Sequence, residues 1–462
     1  MAEAPRIAVL MSEIRRRLES RMLVAGDRLP SVRGFARMMG VSPSTVVDAY
    51  ERLAAEGLIR ARPGSGFYVI GQPPALDISN PAPGRDRAID PLWVSRQSLD
   101  AADDVLRPGC GWLPADWMPH PALRRAIRRL ATAPDTIFAD YGQSRGSLGL
   151  RRLLSRHACE EGLEASPDMV LMTASGSQSL DLVCRHLLQP CDTVVVDDPC
   201  YFNFQAMLRA HRAKLVSVPF TPSGPDLAAF AAVLETHKPR LYVTNAALHN
   251  PTGATLSPQT AHRLLTLAAL HDLTIVEDDI FAALEPEPSV RLTVLDGLER
   301  VIRIGSFSKT LSASVRCGYV IARRDRIEAL TDIQVATSFG GISPLAGEIV
   351  EGVLGDGSYR KHLEALRQRL AHHRRDVAAR LSKSGIEPWL MPRGGFYLWC
   401  RLPEGCDSAE LARRALDEKV VLAPGNVFSP ALTAGGFMRI NVTQMPPRAF
   451  EVIDRALRSP IT

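Results

Sequence analysis

The sequence predicts a multidomain protein in which a small α+β module of short helices and one hairpin precedes a much larger α/β domain. Three observations predict this. The first 70 residues are short apolar-periodic segments punctuated by glycines, and they hold most of the chain's excess positive charge. A proline-rich stretch with little periodicity follows. Beyond residue 100, short β-rich runs alternate with helical stretches, the pattern of a mostly parallel sheet. The expected boundaries are 1–70 for the module, 71–95 for a linker and 96–462 for the large domain.

Composition narrows the function classes. The 462 residues, 46% hydrophobic and 23% charged, exclude disorder throughout. Eight cysteines without a CxxC pair exclude a disulfide-stapled scaffold and offer no metal-ligand spacing. No apolar run approaches the ~18 residues of a membrane span, and no signal segment opens the chain, so a cytoplasmic protein without a membrane partner is expected. The net charge of +5 divides unevenly. Residues 1–70 hold eleven Arg, no Lys and seven acidic residues, a net +4, against 44 basic and 43 acidic residues in the remainder. Basic asymmetry of this kind suggests a nucleic-acid module joined to a neutral body.

In the module, Ile7, Leu10, Met11, Ile14 and Leu18 have the spacing of an amphipathic helix, with Arg15, Arg16 and Arg17 largely opposite. Pro30 and Ser31 open a second short helix that Gly40 stops. Ser42 and Pro43, an N-cap and first-turn pair, start a third through Val46, Val47, Tyr50 and Leu53, closed by Gly57. Two short helices across a tight turn make a helix-turn-helix. Leu58–Arg62, the turn Pro63-Gly64-Ser65-Gly66 and Phe67–Ile70 form a hairpin wing. Ser42, Ser44 and Thr45 stand where a recognition helix meets base edges and phosphates. Arg33 is placed to hold a phosphate, and Arg62 with the wing-tip glycines Gly64 and Gly66 to approach the minor groove or backbone. A helical protein-binding domain with a solvated arginine face fits the spacing equally well.

The residues themselves are more specific. Gly26-Asp27-Arg28-Leu29-Pro30-Ser31-Val32-Arg33, Val41-Ser42-Pro43-Ser44-Thr45-Val46, Gly57-Leu58-Ile59 and Gly64-Ser65-Gly66-Phe67-Tyr68-Val69 closely resemble the GntR family of bacterial winged helix-turn-helix regulators. The resemblance implies a double-stranded DNA operator as partner. Phe35 stands where that family usually has Leu, a change confined to the core.

In the large domain, strands are expected at Val170–Thr173, Thr193–Val196, Leu241–Thr244, Thr274–Glu277, Val301–Ile304 and Gly318–Ile321, and such folds bind ligands at strand ends. The chain holds only six lysines against 49 arginines, so Lys309, in Gly305-Ser306-Phe307-Ser308-Lys309-Thr310-Leu311, invites a chemical reason. A primary amine forms an imine with an aldehyde and a guanidinium does not. A phosphate P-loop is rejected because it needs glycines where Arg303 and Ser308 stand.

Pyridoxal phosphate needs an anion cup, a carboxylate at the pyridine nitrogen, a stacking ring, a donor to the ring oxygen and a cation for a substrate carboxylate. Ser175-Gly176-Ser177-Gln178 opens a helix after a strand and suits the phosphate, helped by Ser306 and Arg316. Asp278 ends an apolar strand and is either the pyridine partner or a helix N-cap. Tyr201 offers a ring and Asn250, in Asn250-Pro251-Thr252-Gly253, an amide. Arg439, in the apolar strand Phe437–Val442, needs either a carboxylate ligand or an internal salt bridge.

In this order and at these separations the segments resemble the class I aminotransferases, fold type I enzymes that use pyridoxal phosphate, over roughly residues 105–445. The resemblance implies Lys309 as the Schiff-base lysine, Asp278 as the pyridine partner, Asn250 as donor to the ring oxygen and Tyr201 as stacking ring. It further implies a phosphate cup of Ser177, Gln178, Ser306 and Arg316, with Arg439 taking the substrate carboxylate. Tyr141 matches a tyrosine that reaches the phosphate in a neighbouring subunit, which implies a homodimer. Phe281 departs from the pattern, for many class I aminotransferases carry Tyr three residues after the aspartate. The missing phenol puts fast transamination in doubt but not cofactor binding.

The combined halves resemble the MocR subfamily of GntR-type transcriptional regulators, whose large domain senses pyridoxal phosphate or an amino acid or amine effector reacting with it by transimination. The alternative is an active aminotransferase with the winged domain as an accessory, and Phe281 leans against it.

Overall fold

The computed structural model describes residues 6–19, 23, 26–62, 65–70, 94, 96–97 and 99–458. The expected linker lies almost wholly outside these residues, as does the wing-tip Gly64. The chain divides into two compact units, Met1–Ala82 and Pro83–Thr462.

In the first unit α1 spans Arg6–Glu19, α2 Val32–Met39 and α3 Pro43–Ala55. Both α2 and α3 start on serine caps. Ser31 Oγ accepts the Gly34 N–H at 3.1 Å, and Ser42 Oγ accepts the Thr45 N–H at 3.2 Å, each worth about 1 kcal/mol. Gly40 ends α2 in the left-handed region at φ +65°, where a Cβ is costly. One face of α3 buries Val46, Ala49, Tyr50 and Leu53 against Leu10 and Ile14 of α1 and Phe35 of α2. Phe35 is fully buried and stacks on Tyr50 at 5.9 Å, so its bulk stays in the core. Strands β1 (Ile59–Arg62) and β2 (Gly66–Val69) form the expected antiparallel wing. An isolated bridge, unanticipated from the sequence, ties the preceding loop to it: Arg28 pairs with Tyr68, and the Leu29 N–H donates to Phe67 O.

The second unit is built on an eight-stranded sheet. Its strands are β3 (Val170–Thr173), β4 (Thr193–Asp198), β5 (Lys214–Thr221), β6 (Gly224–Pro225), β7 (Leu241–Thr244), β8 (Thr274–Asp278), β9 (Val301–Ser306) and β10 (Gly318–Ile321). They lie in the order β3-β10-β9-β8-β7-β4-β5-β6. The pairs β5–β4, β4–β7, β7–β8 and β8–β9 are parallel, and β10 runs antiparallel to both neighbours. The mostly parallel sheet expected from the alternation is present. Its central strands read as continuous apolar runs because helices bury both faces. Strand β5, missed in the sequence, interrupts its apolar run with exposed Lys214 and Pro219 and half-buried Ser217, although Val218 and Phe220 are buried.

A second sheet is formed by β11 (Glu387–Pro388), β12 (Tyr397–Arg401), β13 (Ala423–Pro424) and β14 (Phe437–Asn441), of which only the last was expected, in the order β11-β12-β14-β13. It packs on helices Ser358–Ser382, Ser408–Asp417 and Pro447–Arg458. The chain at 106–112 is tied to this sheet: the Gly109 N–H donates to Val421 O at 2.9 Å, and the Asn441 N–H to Pro108 O at 2.7 Å. A Cβ on Gly109 would stand 2.5 Å from the Ala423 nitrogen, so only glycine permits this close approach. Among the described residues no helix is long and apolar enough to cross a membrane.

Candidate functional site

Where β3, β4, β8 and β9 end, beside the loop that follows β7, the second unit encloses a cavity of about 440 Å³. It brings together Lys309, Asp278, Asn250, Tyr201, Ser177, Ser306, Arg316 and Arg439 from segments up to 262 positions apart. Carboxyl ends of parallel strands are the ordinary ligand position of such sheets, since the loops there are free to diverge.

Lys309 leaves β9 on a single turn, Phe307–Lys309, capped by Ser306, whose Oγ accepts the Ser308 N–H at 3.1 Å. Its Nζ donates to Gly111 O at 2.6 Å. Burial, reinforced by the Arg439 charge, lowers the Lys309 ammonium to about 8. Asp278 ends β8, with the Ile280 N–H donated to its Oδ1 at 3.1 Å. Burial raises its carboxyl to about 7. Its neighbour Asp279 is clamped by the buried guanidiniums of Arg291, at 2.9 Å, and Arg303, which pins the strand end.

Arg439 projects from β14 and is 1% exposed. Its Nη1 donates to Asn250 Oδ1 at 2.9 Å and its Nη2 to Gly109 O at 2.8 Å, while Nε has no partner. The rings of Tyr397 and Phe428 flank it at 4.2 and 4.7 Å. The salt bridge considered for this arginine is not formed among the described residues, where it meets neutral oxygens and aromatic faces. His249, the residue before Asn250, stacks on Phe220 at 3.8 Å and stands 3.3 Å from the buried Asp197 carboxylate.

At the other end, helix Gly176–Leu187 begins at Ser175, whose Oγ accepts the Gln178 N–H. Ser177, Ser306, Ser308 and Arg316 line this end. Gln178 does not line the cavity, in correction of its expected place in the cup. Its side chain turns back to accept the Ala174 N–H at 2.6 Å and donate to Ser338 Oγ at 3.2 Å. Tyr141 also lies outside the cavity: it is 79% exposed and packs edge-on against the exposed Phe339 at 4.9 Å. Sequence reasoning missed Gly111, Trp112 and Tyr397, and also Val94 and Leu99, all of which line the cavity. Of these, Tyr397 had a signal, the glycine pair Gly394-Gly395 opening an aromatic strand.

In the first unit, the Ser42 hydroxyl lies 2.8 Å from Ser44 Oγ and 2.7 Å from Thr45 Oγ1, so three hydroxyls gather at the start of α3. Arg33 is exposed on α2. Arg62, at the end of β1, lies over the Tyr68 ring at 4.5 Å, and Gly66 takes φ +102° at the turn.

Two protein families match the chain, Aminotransferase class I and II over residues 115–457 and Bacterial regulatory proteins, gntR family, over residues 8–69. The uncharacterized HTH-type transcriptional regulator YdcR of Escherichia coli is 30% identical, across 94% of each chain. The HTH-type transcriptional regulator NorG of Staphylococcus aureus is 26% identical, across 87% of this chain and 92% of NorG. Among solved structures, the α-aminoadipate aminotransferase LysN of Thermus thermophilus, complexed with N-(5'-phosphopyridoxyl)-L-leucine, superposes with a TM-score of 0.72. It is 25% identical, over 79% of this chain and 94% of LysN. Pyrococcus horikoshii kynurenine aminotransferase, 24% identical over 80% of this chain and 94% of its own, shares the fold with the same TM-score. The chain therefore belongs to the HTH-type transcriptional regulators in which a gntR-family module precedes an aminotransferase class I and II domain, the MocR arrangement.

Proposed function

We propose that this regulator binds pyridoxal phosphate in the cavity of its second unit and reads an amino acid or amine there, adjusting its hold on operator DNA. The observation that carries the proposal is the convergence of Lys309, Asp278 and Arg439 on one cavity. The residues fit the group on physical grounds. Among the described residues lining the cavity the charges are one carboxylate and three cations, a balance suited to an anionic phosphate and a carboxylate ligand. Asp278, buried without an ion-pair partner among the described residues, is held half-protonated near neutrality, and a cationic N–H beside it restores the carboxylate.

When bound, pyridoxal phosphate supplies an aldehyde that condenses with amines and a ring that withdraws electrons. Lys309 supplies the anchoring amine, and Asp278 keeps the proton on the pyridine nitrogen. Asn250 spends its Oδ1 on Arg439, which leaves the amide nitrogen to donate to the ring oxygen. Tyr201 stacks on the ring. Ser177, Ser306 and Arg316 hold the phosphate with the first N–H groups of helix Gly176–Leu187. Arg439 turns its fork to the carboxylate of the incoming amino acid. Phe281 packs on Phe396 and Tyr397 at 5.7 and 5.4 Å and offers no phenol, which favours sensing over rapid turnover. Tyr141 and Phe339, exposed together, suit contact with a second copy of the chain, so the regulator acts as a cytoplasmic homodimer. The amino acid shifts its DNA affinity by binding one arrangement of that dimer better.

The neutral Lys309 amine is the form that bonds an aldehyde, and its ammonium is lowered to about 8. Stopped-flow capture of cofactor is expected to accelerate about tenfold between pH 7 and pH 9 and then level off. In DNA titrations, Arg33→Ala is expected to weaken binding to every sequence and shallow the salt slope by about one. Changes at Ser44 or Thr45 act mainly on the cognate site. The decisive test is to sequence the DNA retained by the full-length protein with and without cofactor and amino acid. Sustained keto-acid turnover without sequence-selective DNA binding would overturn the proposal.

A further inference from the structure

We propose that Arg303 is a positioning residue for the cofactor: on the side away from the cavity it ties the end of β8, which carries Asp278, to β9, which leads into the turn carrying Lys309. The inference rests on the cofactor reading above and deepens it.

Successive residues of an extended chain point to opposite faces. Asp278 enters the cavity, while Glu277 and Asp279 turn away from it. On that far side the Glu277 carboxylate accepts the Leu292 and Thr293 N–H groups at 2.7 and 3.0 Å. Asp279 meets two guanidiniums, Arg291 at 2.9 Å and Arg303. Arg303 comes from β9, where it stands beside Glu277 in the parallel pair. Its other terminal nitrogen reaches Glu161, just past the helix Leu148–Glu160. Arg291 continues to Glu285 at 2.7 Å. Two arginines and three carboxylates thus form one ion-pair network, and of the five side chains only that of Glu161 is more than 4% exposed.

Stability does not account for this network. Taking charges out of water offsets most of their attraction, and apolar residues of similar volume commonly serve as well. Burial works against the Arg303 charge, but the Asp279 and Glu161 carboxylates outweigh it and hold the guanidinium well above its usual range. Burial opposes the Glu161 charge as well, and Arg303 outweighs it, lowering that carboxyl. What the charged fork adds is direction: one planar group bonds two carboxylates on separate segments at fixed angles. Here it joins β8 to β9 at the level where the Asp279 N–H donates to Ile304 O at 2.9 Å. Asp278 precedes the clamped aspartate by one position, and Lys309 follows Arg303 by six, through the turn capped by Ser306. The spacing between the carboxylate for the ring nitrogen and the amine for the aldehyde is therefore set by residues outside the cavity lining.

The test uses full-length Arg303→Met, Arg303→Lys and Glu161→Gln proteins. It measures pyridoxal phosphate half-saturation by visible absorption, the pH midpoint of that absorption in saturated protein, and the melting temperature. Titratable groups facing Asp278 and Lys309 from other elements, namely Tyr201, Cys110, Arg316, Tyr397 and Arg439, are the same in every variant. So is anything a second copy of the chain brings, and differences between variants report the network. Arg303→Met removes a cation, which favours the protonated form of the lysine-bound cofactor. Its midpoint is expected to rise by at least about 0.5 pH unit and its half-saturation about tenfold. Arg303→Lys keeps the charge but not the fork, so the midpoint should return to within about 0.2 unit of the wild type while half-saturation stays at least about threefold raised. Should Arg303→Met not fold, Glu161→Gln, at the most exposed end of the network, removes an anion and is expected to lower the midpoint by about 0.3 unit. A wild-type midpoint in both Arg303→Met and Glu161→Gln, or wild-type half-saturation in Arg303→Lys, would overturn this inference alone, however far the melting temperatures fall. A wild-type protein that never acquires cofactor absorption would overturn the cofactor reading, and this inference with it.

Discussion

Lys309→Ala is expected to abolish the visible absorption of lysine-bound cofactor completely while changing the affinity of the unliganded protein for its operator by less than about twofold. The first half follows from chemistry that alanine does not have. Among the charged residues lining the cavity, Lys309 alone carries a primary amine, buried and poised close to neutrality by desolvation and by Arg439. Arginine does not replace it, because a guanidinium stays protonated and does not condense with an aldehyde, so Lys309→Arg should be equally colourless. The second half follows from the division into two compact units, each with its own apolar core. Absorption spectra and DNA titrations on one preparation check both. Residual lysine-type absorption in the alanine variant would reassign the anchoring residue.

Arg439→Leu is expected to retain cofactor absorption and to lose response to carboxylate-bearing amino acids by about 100-fold or more. Two charge-assisted hydrogen bonds to a carboxylate contribute about 3 kcal/mol together in a site from which water is excluded. At about 1.4 kcal/mol per decade that is roughly 100-fold. The variant also leaves Asn250 Oδ1 and Gly109 O without their donors. A lower melting temperature should accompany the loss, from a penalty of about 1–3 kcal/mol for each buried acceptor. Arg439→Lys separates charge from geometry: a compact ammonium keeps the charge but not the fork, so it should restore little of the response. An Arg439→Leu protein that responds to the amino acid as the wild type does would remove this residue from the binding site.

Both residues are legible in the sequence, for different reasons. Lys309 stood out because the chain uses arginine almost everywhere else for a cation. Arg439 stood out because a charge inside an apolar strand requires a partner. What neither argument supplied was that partner. The salt bridge left open for Arg439 is replaced by an amide, a backbone carbonyl and aromatic faces, contributed by segments 189 and 330 positions away for the two hydrogen bonds. Gln178 shows the converse. Its place in Ser-Gly-Ser-Gln suited a phosphate cup, yet the side chain folds back to satisfy the Ala174 N–H left without a strand partner after β3. Local spacing is silent on that competition, because it depends on where the strand ends.

The sequence by itself determined the two-part organisation, the caps and turns of the first unit, the mostly parallel sheet and the identity of the charged residues that line the cavity, Asp278, Lys309, Arg316 and Arg439. These are properties of local patterns: serine caps, glycines at positive φ, apolar runs and an uneven charge distribution are set by residues close together in the chain. The tertiary structure alone decided the bridge from Arg28 to the wing, the second sheet, the clamp on Asp279 and the meeting of Val94 and Phe202 at the cavity. Each joins segments tens to hundreds of residues apart, and the energy that selects them is burial of surfaces that never meet along the sequence.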